Sequence, residues 1–528
     1  MADPDKQTLL VAPLGDAKSG GEVEPGALHE VAGEPDASPI RIAVGFVRAY
    51  WSRVCIFSAI LLVPCYWHRR IEAGDLASHT YNAWLTQLIE RGQGPGLWLV
   101  RQWNNVLFDI MLVRLGNLVG LEIAEKIAVS LAVLLFFWGA FALVAAMTRH
   151  IPWFLVPCLM IFAYGWTFQM GFLNYYISLG LAFFGMAVAE CGNGWQPALL
   201  VVLLPFTWMA HPIGVVLLIG GAAYLVLAKR LRRRGQWFLL GAAGLSLAFI
   251  SRVLSSQYKV SWSGGSLYNY PHQFTGVDQL VLYGARYSSL SNFLLLFTLA
   301  CLGSDIVSRL RSREALEPYR VPLQIYAIAV LSAILLPDAI FFRQYATPFS
   351  LLTERLTSFT AILGCCLLGV MTPKKWHLAG FAAFTAVFFF FLYQDTGKVN
   401  RMERQAEQYE RILPPGQRII ATIWPFAESR VLTNHIVDRS CAEYCFSYGN
   451  YEPSSQQFRV RAIPGNRIVT ASSEAADAIE SGEYVVQPAD LPMFQIYQCN
   501  ADMVELCMRE LPSGEKNGSI GLQRVHEK

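Results

Sequence analysis

The chain has 528 residues, of which 54% are hydrophobic and 13% aromatic, and only 15% are charged. A soluble domain usually contains about 25% charged residues, so this composition excludes most soluble classes and indicates an integral membrane protein. The net charge is only +3 and no long basic tract occurs outside short loops, so nucleic-acid binding is not suggested.

The N-terminal tail, residues 1–40, is rich in Gly, Pro, Ala and acidic residues and lacks apolar periodicity. That composition is typical of a disordered segment, which we expect to be cytoplasmic. The tail has no basic region followed by an early apolar core, so we expect no cleaved signal peptide. The first apolar segment would then remain in the protein as a signal anchor.

Apolar segments recur along residues 41–393 and are long enough to approach the roughly 30 Å hydrocarbon core of a bilayer. They predict a polytopic α-helical membrane protein with about eleven transmembrane helices. We place these at 42–67, 123–147, 152–170, 173–190, 197–211, 213–228, 236–254, 290–308, 321–342, 356–372 and 377–393.

Basic residues in short loops predict the orientation of these helices. Arg41, Arg48 and Arg53 place the N-terminus in the cytoplasm. With eleven spans, the basic loops all fall on that same side: 149–150, 229–235, 308–320 and 372–377. The long loop 68–122 and everything after about residue 394 then face the other side. The acidic tail and the lack of a retention signal favour a bacterial inner membrane.

The last part of the chain, residues 394–528, predicts an extracytoplasmic α/β or α+β domain. Its short apolar runs predict strands at 417–424, 430–437, 466–471 and 482–488, and a helix is predicted over 474–481.

Cysteines in this domain are disulfide candidates, because an oxidising compartment is predicted for it. They are Cys441, Cys445, Cys499 and Cys507. Four cysteines allow three pairings, between which the sequence does not choose. A metal site is the less favoured alternative, since these spacings fit no common zinc pattern.

The loop 68–122 predicts two helices, one over 71–91 and a second after the "RGQGPG" turn, and we expect both to lie on the bilayer surface. Asp75 and His79 share a face of the first helix, where they could hold a divalent cation or supply a general base. In the simpler alternative, Asp75 caps the helix and His79 is an interfacial polar residue.

A first span, a large external loop of two helices opening with an acidic residue, many further spans and a C-terminal external domain together resemble the GT-C superfamily. Its members are membrane glycosyltransferases that use polyprenyl-phosphate-linked sugars, such as protein mannosyltransferases and arabinosyltransferases. The resemblance is specific only across about residues 71–105, which include "GDLASHTYNAW". It implies that Asp75 is the catalytic base or a metal ligand, that His79 assists it, and that Trp103 and Asn104 lie beside the site.

This chain departs from the family in one respect. Many members carry two neighbouring acidic residues, whereas Asp75 is followed by Leu76 and Ala77. We therefore expect Asp75 to act as a base with no certain cofactor. A divalent cation, Mg or Mn, held by Asp75 and His79 is the alternative.

A departing phosphate needs positive charge, which arginine supplies with bidentate geometry. Arg252, Arg343 and Arg355 lie near predicted outer span ends. For Arg355 the alternative is a local ion pair with Glu354. His211 in "AHPIG" is a further candidate, because an ionisable residue near a span end needs a partner or a function; a hydrogen bond to a neighbouring helix is the alternative.

These features predict a glycosyltransferase that moves a sugar from a polyprenyl-phosphate donor to a glycan, lipid or protein acceptor during cell-envelope glycan biosynthesis. The alternatives are a transporter or flippase for a lipid-linked glycan, and a non-catalytic subunit of an envelope assembly complex. Transporters usually carry charged or broken segments at mid-bilayer. The ionisable residues here gather at span ends, which favours the transferase.

Overall fold

The computed structural model describes residues 39–192, 196–262, 270–500 and 504–518. The predicted disordered tail lies outside the described residues except for its last two, which begin the first helix at Pro39. Proline suits this first turn because its fixed φ is already helical and its missing N–H would have no partner there.

Helices dominate the described residues. In chain order they are α1 (Pro39–Tyr66), α2 (Leu76–Glu90), α3 (Leu107–Val119), α4 (Leu121–Thr148), α5 (Val156–Ala163), α6 (Trp166–Gln169), α7 (Leu173–Cys191), α8 (Gln196–Ala210), α9 (Pro212–Arg230), α10 (Arg233–Gln257), α11 (Tyr270–Thr275), α12 (Ala285–Arg311), α13 (Arg320–Leu335), α14 (Leu352–Gly369), α15 (Lys375–Glu410), α16 (Ile436–Cys441), α17 (Glu452–Ser455) and α18 (Ser473–Glu480). Short 3-10 turns lie at Trp153–Leu155, Val277–Leu280, Glu317–Tyr319 and Pro488–Asp490.

The strands are short. They are β1 (Leu97–Leu99), β2 (Lys259–Ser261), β3 (Ala339–Phe341), β4 (Arg418–Thr422), β5 (Phe446–Ser447), β6 (Val460–Ala462), β7 (Met493–Gln498) and β8 (Leu506–Leu511). Two antiparallel pairs, β1–β6 and β2–β3, join distant parts of the chain, and a four-stranded sheet has the order β5-β4-β7-β8.

Eight helices within the described residues are long and apolar enough to cross a membrane. They are α1 from Val44 onward, α4, α7, α9, α10, α12, α13 with its preceding turn, and α15. The protein is therefore a polytopic helical membrane protein, as the composition predicts.

The other three predicted spans are helical but differ from the eight. The segment predicted at 152–170 is divided into a 3-10 turn, α5 and α6. Helix α8, predicted as 197–211, has 15 residues and so spans only about 22 Å. Helix α14, predicted as 356–372, carries several Thr and Ser residues and is buried along almost its whole length. The count of eleven spans remains a prediction.

The centre of the bundle is formed by α4 and α7, which cross at a pair of glycines. A Cβ on Gly139 would lie 2.5 Å from the carbonyl oxygen of Gly180, and one on Gly180 would lie 2.9 Å from the backbone of Leu135. Small residues let two backbones approach this closely, which is a common way of packing membrane helices. Helix α10, in contrast, buries none of its apolar window and presents it outward, as expected of a helix facing lipid.

Helix α2 is covered by other parts of the protein, which its sequence pattern did not predict. Its residues Leu76–Gln87 are all buried, because the helix is enclosed between α3, α4 and the C-terminal region. Strand β1, in the same loop, pairs with β6 of the C-terminal region and closes this cover. The loop 68–122 and the C-terminal region thus form one packed layer over the end of the bundle.

The C-terminal region has a mixed sheet, although only part of its strand pattern was predicted. Strand β4 and helix α18 lie where strand and helix were expected. The strand predicted at 430–437 is instead a loop that leads into α16, and 466–471 and 482–488 are irregular. These segments are apolar because their side chains pack under the sheet, whereas β7 and β8 supply the strands.

Two disulfides lie in this region, between Cys441 and Cys445 and between Cys499 and Cys507. This is one of the three pairings that the sequence allows. Each bridge closes a short local segment, one at the end of α16 and one across the β7–β8 pair.

The C-terminal region is anchored to the bundle by Arg439 of α16. Its guanidinium is fully buried and donates to Glu403 of α15 at 2.5 and 2.8 Å, and to Glu125 of α4 at 2.9 Å. Glu72, before α2, lies 3.2 Å away. Burial and the Glu403 carboxylate raise the pKa of Glu72 well above its usual range, despite the opposing effect of Arg439.

Replacing Arg439 is expected to destabilise the protein more than any surface change. In Arg439→Gln three carboxyl groups stay buried without their cation, a situation that typically costs about 3–5 kcal/mol. Thermal unfolding in detergent measures the loss. Arg467→Gln, an exposed arginine in the same region, should leave the melting temperature nearly unchanged. Equal melting temperatures for the two variants would contradict the anchoring role of Arg439.

Candidate functional site

A cavity of about 940 Å³ lies at the end of the bundle where α2, α9 and α14 begin. The C-terminal region forms its lid through residues of the loop before α16, the segment 451–458 and α18. The cavity has a polar end beneath this lid and an apolar arm that continues between membrane helices. The predicted site residues that line it are Asp75, His79, Asn104, His211 and Arg355.

Asp75 is held at the polar end by a close backbone contact. Its N–H donates to the carbonyl oxygen of Met170 at 3.0 Å. A Cβ on Gly171 would lie 2.5 Å from the Asp75 nitrogen, and one on Gly74 would lie 2.5 Å from the Met170 oxygen. Both glycines also have positive φ, so only glycine fits either position without strain. The two segments therefore fix the start of α2 against the bundle.

The helix-capping alternative for Asp75 does not hold. The side chain makes no capping hydrogen bond to the first turn of α2 among the described residues. It faces the cavity, and its Oδ1 lies 3.6 Å from Nε2 of His435. The carboxylate is thus available for chemistry at the polar end.

His435 is a site residue that the sequence reasoning missed. It is buried beneath the lid, and its Nδ1 lies 3.0 Å from Oδ2 of Asp438. Burial alone would lower its pKa, but Asp438 and Asp75 outweigh that effect and raise the pKa to about 9. The available signal was the spacing in "HIVD", which places His435 and Asp438 three residues apart. That segment was predicted as a strand, in which the two would not share a face.

His79 has a different environment from the one expected of a helper to Asp75. Its Nδ1 pairs with Oδ1 of Asp109 on α3 at 2.7 Å, and Oε1 of Glu452 is 3.7 Å away. Burial alone would lower its pKa, but Asp109, Glu452 and Asp75 together raise it to about 10. A histidine that holds its proton so firmly is neither a base nor a good metal ligand at neutral pH. It acts instead as a buried cation in the cavity wall.

Arg355 on α14 faces the cavity without a carboxylate partner. Its guanidinium lies over the rings of Phe172, at 4.0 Å, and Phe349, at 5.3 Å. Within the described residues, the predicted alternative of an ion pair with Glu354 does not form at 4.0 Å or less, and the buried Nε has no hydrogen-bond partner. An unpaired cation held on aromatic faces is suited to receive an anion.

His211 caps the helix that follows it. Its Nδ1 accepts from the N–H of Ile213 at 3.2 Å, and the ring packs against Tyr175 and Phe349. Because Nδ1 is the acceptor, the proton of the neutral imidazole lies on Nε2. The predicted bond to a neighbouring helix is therefore replaced by a cap on its own helix, and Nε2–H remains a donor at the cavity wall.

Three predicted residues do not line the cavity. Arg252 and Arg343 are exposed, the first near the C-terminal end of α10 and the second in the loop after β3. Trp103 is 58% exposed and stacks with Arg101, at 4.8 Å, while its neighbour Asn104 turns inward. Sequence position alone did not reveal on which side of a helix or loop these side chains point.

The apolar arm of the cavity runs between α9, α10 and α13. It is lined by branched and small side chains, among them Ile213, Val216, Leu217, Ala243, Leu247, Ile250, Ile325 and Ile328. Gly220 and Gly221 of α9 also line it; Gly220 leaves open space beside the helix backbone, whereas Gly221 packs against Met186 of α7. The arm is thus shaped for a long hydrocarbon chain at the level of the membrane helices.

Asp75 and His79 do not form part of a preorganised metal-ligand cluster within the described residues. One group of three potential ligands is found there, Glu410 with Cys441 and Cys445, but both cysteines are held in a disulfide. It lies away from the cavity, whose lining does not include it.

Comparison with known proteins gives no relatives: no family model matches the sequence, no curated protein is significantly similar to it, and no solved structure is significantly similar to its fold.

The glycine contact that positions Asp75 can be tested with Gly171→Ala. Both Gly171→Ala and Gly92→Ala force alanine into a left-handed conformation, which lowers the free energy of unfolding by about 1–2 kcal/mol. Only at Gly171 does the new methyl meet other backbone atoms, since a Cβ on Gly92 has open space around it. We expect Gly171→Ala to lower the free energy of unfolding in detergent by about 1–3 kcal/mol more than Gly92→Ala does. Equal losses would mean that the two segments can move apart.

The buried pair His79–Asp109 predicts a pH-dependent stability. The folded pKa of His79, about 10, lies above its ordinary value of 6.5, so its stabilising effect is complete below 6.5 and is lost as the pH rises through 10. The melting temperature of wild type should exceed that of His79→Gln most at pH 6 and by less at pH 9. His272→Gln, away from the cavity, is the control. A difference that grows with pH would contradict this assignment.

Proposed function

We propose that the protein is a membrane glycosyltransferase of the GT-C type, which moves a sugar from a polyprenyl-phosphate donor to a glycan, lipid or protein acceptor. One observation carries this proposal. A single cavity presents a carboxylate and an unpaired arginine, Asp75 and Arg355, at its polar end and continues as an apolar arm between membrane helices. A polyprenyl-phosphate sugar is likewise polar at one end, the sugar phosphate, and apolar along its hydrocarbon chain.

The donor phosphate would bind at Arg355. The guanidinium is held on aromatic rings and lacks a carboxylate partner among the described residues, so an anion could approach it without breaking an existing ion pair. Nε2–H of His211 would add a neutral donor. The N-termini of α9 and α14 also meet at this end of the cavity, and helix N-termini favour negative charge.

In the proposed reaction Asp75 takes the proton of the acceptor hydroxyl. The acceptor oxygen forms a bond to the anomeric carbon of the sugar, and the bond from that carbon to the phosphate oxygen breaks. The electron pair leaves on the polyprenyl phosphate, whose added negative charge is stabilised by Arg355. Asp75 then releases its proton to water, so neither an oxidant nor a reductant is needed.

The distribution of basic residues supports a site on the extracytoplasmic face. Helix α9 begins at the cavity with His211 and ends at Lys229–Arg230, which continue into the basic segment 229–235. Helix α14 begins near Arg355 and leads to Lys374 and Lys375. The basic loops therefore lie at the opposite ends of these helices from the cavity, as the positive-inside rule requires for an outward-facing site. We place the protein in a bacterial inner membrane.

The test is mass spectrometry of lipid-linked sugars and surface glycans in a strain that lacks the gene. We expect one polyprenyl-phosphate sugar to accumulate and one glycan to lose a residue. Wild type should restore both. Asp75→Asn should fail to do so, because loss of a general base typically lowers a rate by 10²–10⁴, while folding normally, since its side chain caps no helix. Full complementation by Asp75→Asn would exclude the base and favour a transporter or an assembly subunit.

Three arginine variants make this test specific. Arg355→Gln should restore neither the glycan nor the normal donor level, because the anion site is lost. Arg252→Gln and Arg343→Gln should both complement, since these exposed arginines do not line the cavity. If all three arginine variants complement equally, Arg355 does not bind the donor phosphate.

A further inference from the structure

We propose that the C-terminal region completes the site, with His435 as a positioning residue that bridges Asp75 to Asp438 and holds the Asp75 carboxylate for proton acceptance. This inference rests on the proposed transfer, in which Asp75 is the base. It adds to that reaction a residue outside the segment of about residues 71–105 over which the resemblance is specific.

The bridge is a line of three side chains, of which His435 and Asp438 are buried and Asp75 is half-buried at the cavity. Nε2 of His435 lies 3.6 Å from Oδ1 of Asp75, and Nδ1 of His435 lies 3.0 Å from Oδ2 of Asp438. His435 immediately precedes α16 and Asp438 lies in the first turn of that helix, three residues later, and both are buried. The ring of Tyr451 packs on His435 with its centroid 5.1 Å away. The imidazole is therefore fixed in one orientation between the two carboxylates.

Asp438 is itself held by donors from the neighbouring turn. Asn450 donates to its Oδ2 at 2.9 Å, and the hydroxyl of Ser447 donates to its Oδ1. Asn450 also donates to Ser78 of α2 at 2.9 Å and accepts from Asn82 of the same helix at 2.9 Å. The C-terminal region therefore contacts the start of α2 at two places, through His435 at Asp75 and through Asn450 at Ser78.

This arrangement assigns separate tasks to the two oxygens of Asp75. Oδ1 faces the His435 N–H, whereas Oδ2 has no hydrogen-bond partner among the described residues and is left for an acceptor hydroxyl. Since Asp438 accepts from Nδ1, the other ring nitrogen must carry its proton toward Asp75 whenever His435 is charged. The charged imidazolium attracts Oδ1 and so fixes the direction in which Oδ2 points.

The other titratable groups that face His435 are few among the described residues. Besides Asp75 and Asp438 they are Glu480 of α18 and the phenol of Tyr451. Glu480 is bound by Asn434 at 2.6 Å and is directed along the lid. Glu480 adds to the effect of Asp438 and Asp75 on His435, whereas the Tyr451 phenol is neutral and only packs on the ring.

The test measures the protonation of Asp75 without any substrate. Dicyclohexylcarbodiimide reacts with protonated carboxyl groups in apolar surroundings, and mass spectrometry of the peptide containing Asp75 reports the labelled fraction at each pH. In purified full-length His435→Gln, the pH of half-labelling at Asp75 should rise, with severalfold more label at a fixed pH than in wild type. His435→Lys, which keeps a cation, should restore much of the wild-type profile.

Asp438→Asn provides a second variant in case His435→Gln does not fold. It removes the anion that keeps His435 charged, so half-labelling of Asp75 should again move to higher pH. Asp490→Asn, a buried aspartate of the same region bound to Tyr484, should leave the profile unchanged. An unchanged Asp75 profile in folded His435→Gln or Asp438→Asn would overturn the bridge.

Failure of this inference is distinguishable from failure of the proposed transfer. If labelling shifts as expected but Asp75→Asn complements the deletion strain, the bridge exists and Asp75 is not the base. If Asp75→Asn fails to complement and labelling does not shift, Asp75 remains the proposed base and His435 does not position it. When both hold, His435→Gln should lower kcat with little effect on the donor KM, because it acts on the base and not on the phosphate site.

Discussion

One buried arginine, Arg439, determines how the two parts of this protein fit together. It reaches carboxylates that come from three separate places in the chain: Glu72 before α2, Glu125 in α4 and Glu403 in α15. Removing charges from water is costly, and the cost is met only if every partner is in place. The cluster therefore specifies one position of the C-terminal region on the bundle.

The candidate site depends on that position. His435 is four residues before Arg439 and Asp438 is immediately before it, so the anchor also fixes the short helix that carries the lid side of the cavity. On the opposite wall, Gly74 and Gly171 hold Asp75 against the bundle. The distance between Asp75 and His435 thus results from two rigid contacts, one ionic and one steric, and not from the flexible ends of the side chains.

The sequence predicts the parts of this protein that follow from local chemistry. Long apolar segments identified the membrane helices, and a carboxylate at the start of a buried helix drew attention to Asp75. The sequence did not reveal that α2 is covered. The stripe of polar residues at helical spacing, Asp75, Ser78, His79 and Asn82, is equally expected of a helix on a bilayer surface with that face toward water, so the pattern did not distinguish the two positions. The role of His79 depends on Asp109, which comes from another helix, so spacing within one segment does not reveal the pair. The role of His435 depends on Asp438, and that pair was hidden because the segment was predicted as a strand.

The order in which the chain is made gives the Arg439 cluster a further consequence. A ribosome completes Glu72, Glu125 and Glu403 before it reaches Arg439, so these acids must wait in or beside the membrane without their cation. Burying acidic groups without a partner is costly, so these segments cannot take up their final packing before Arg439 is present. A polypeptide that ends before α16 would lack Arg439 and would keep the three acids without this partner.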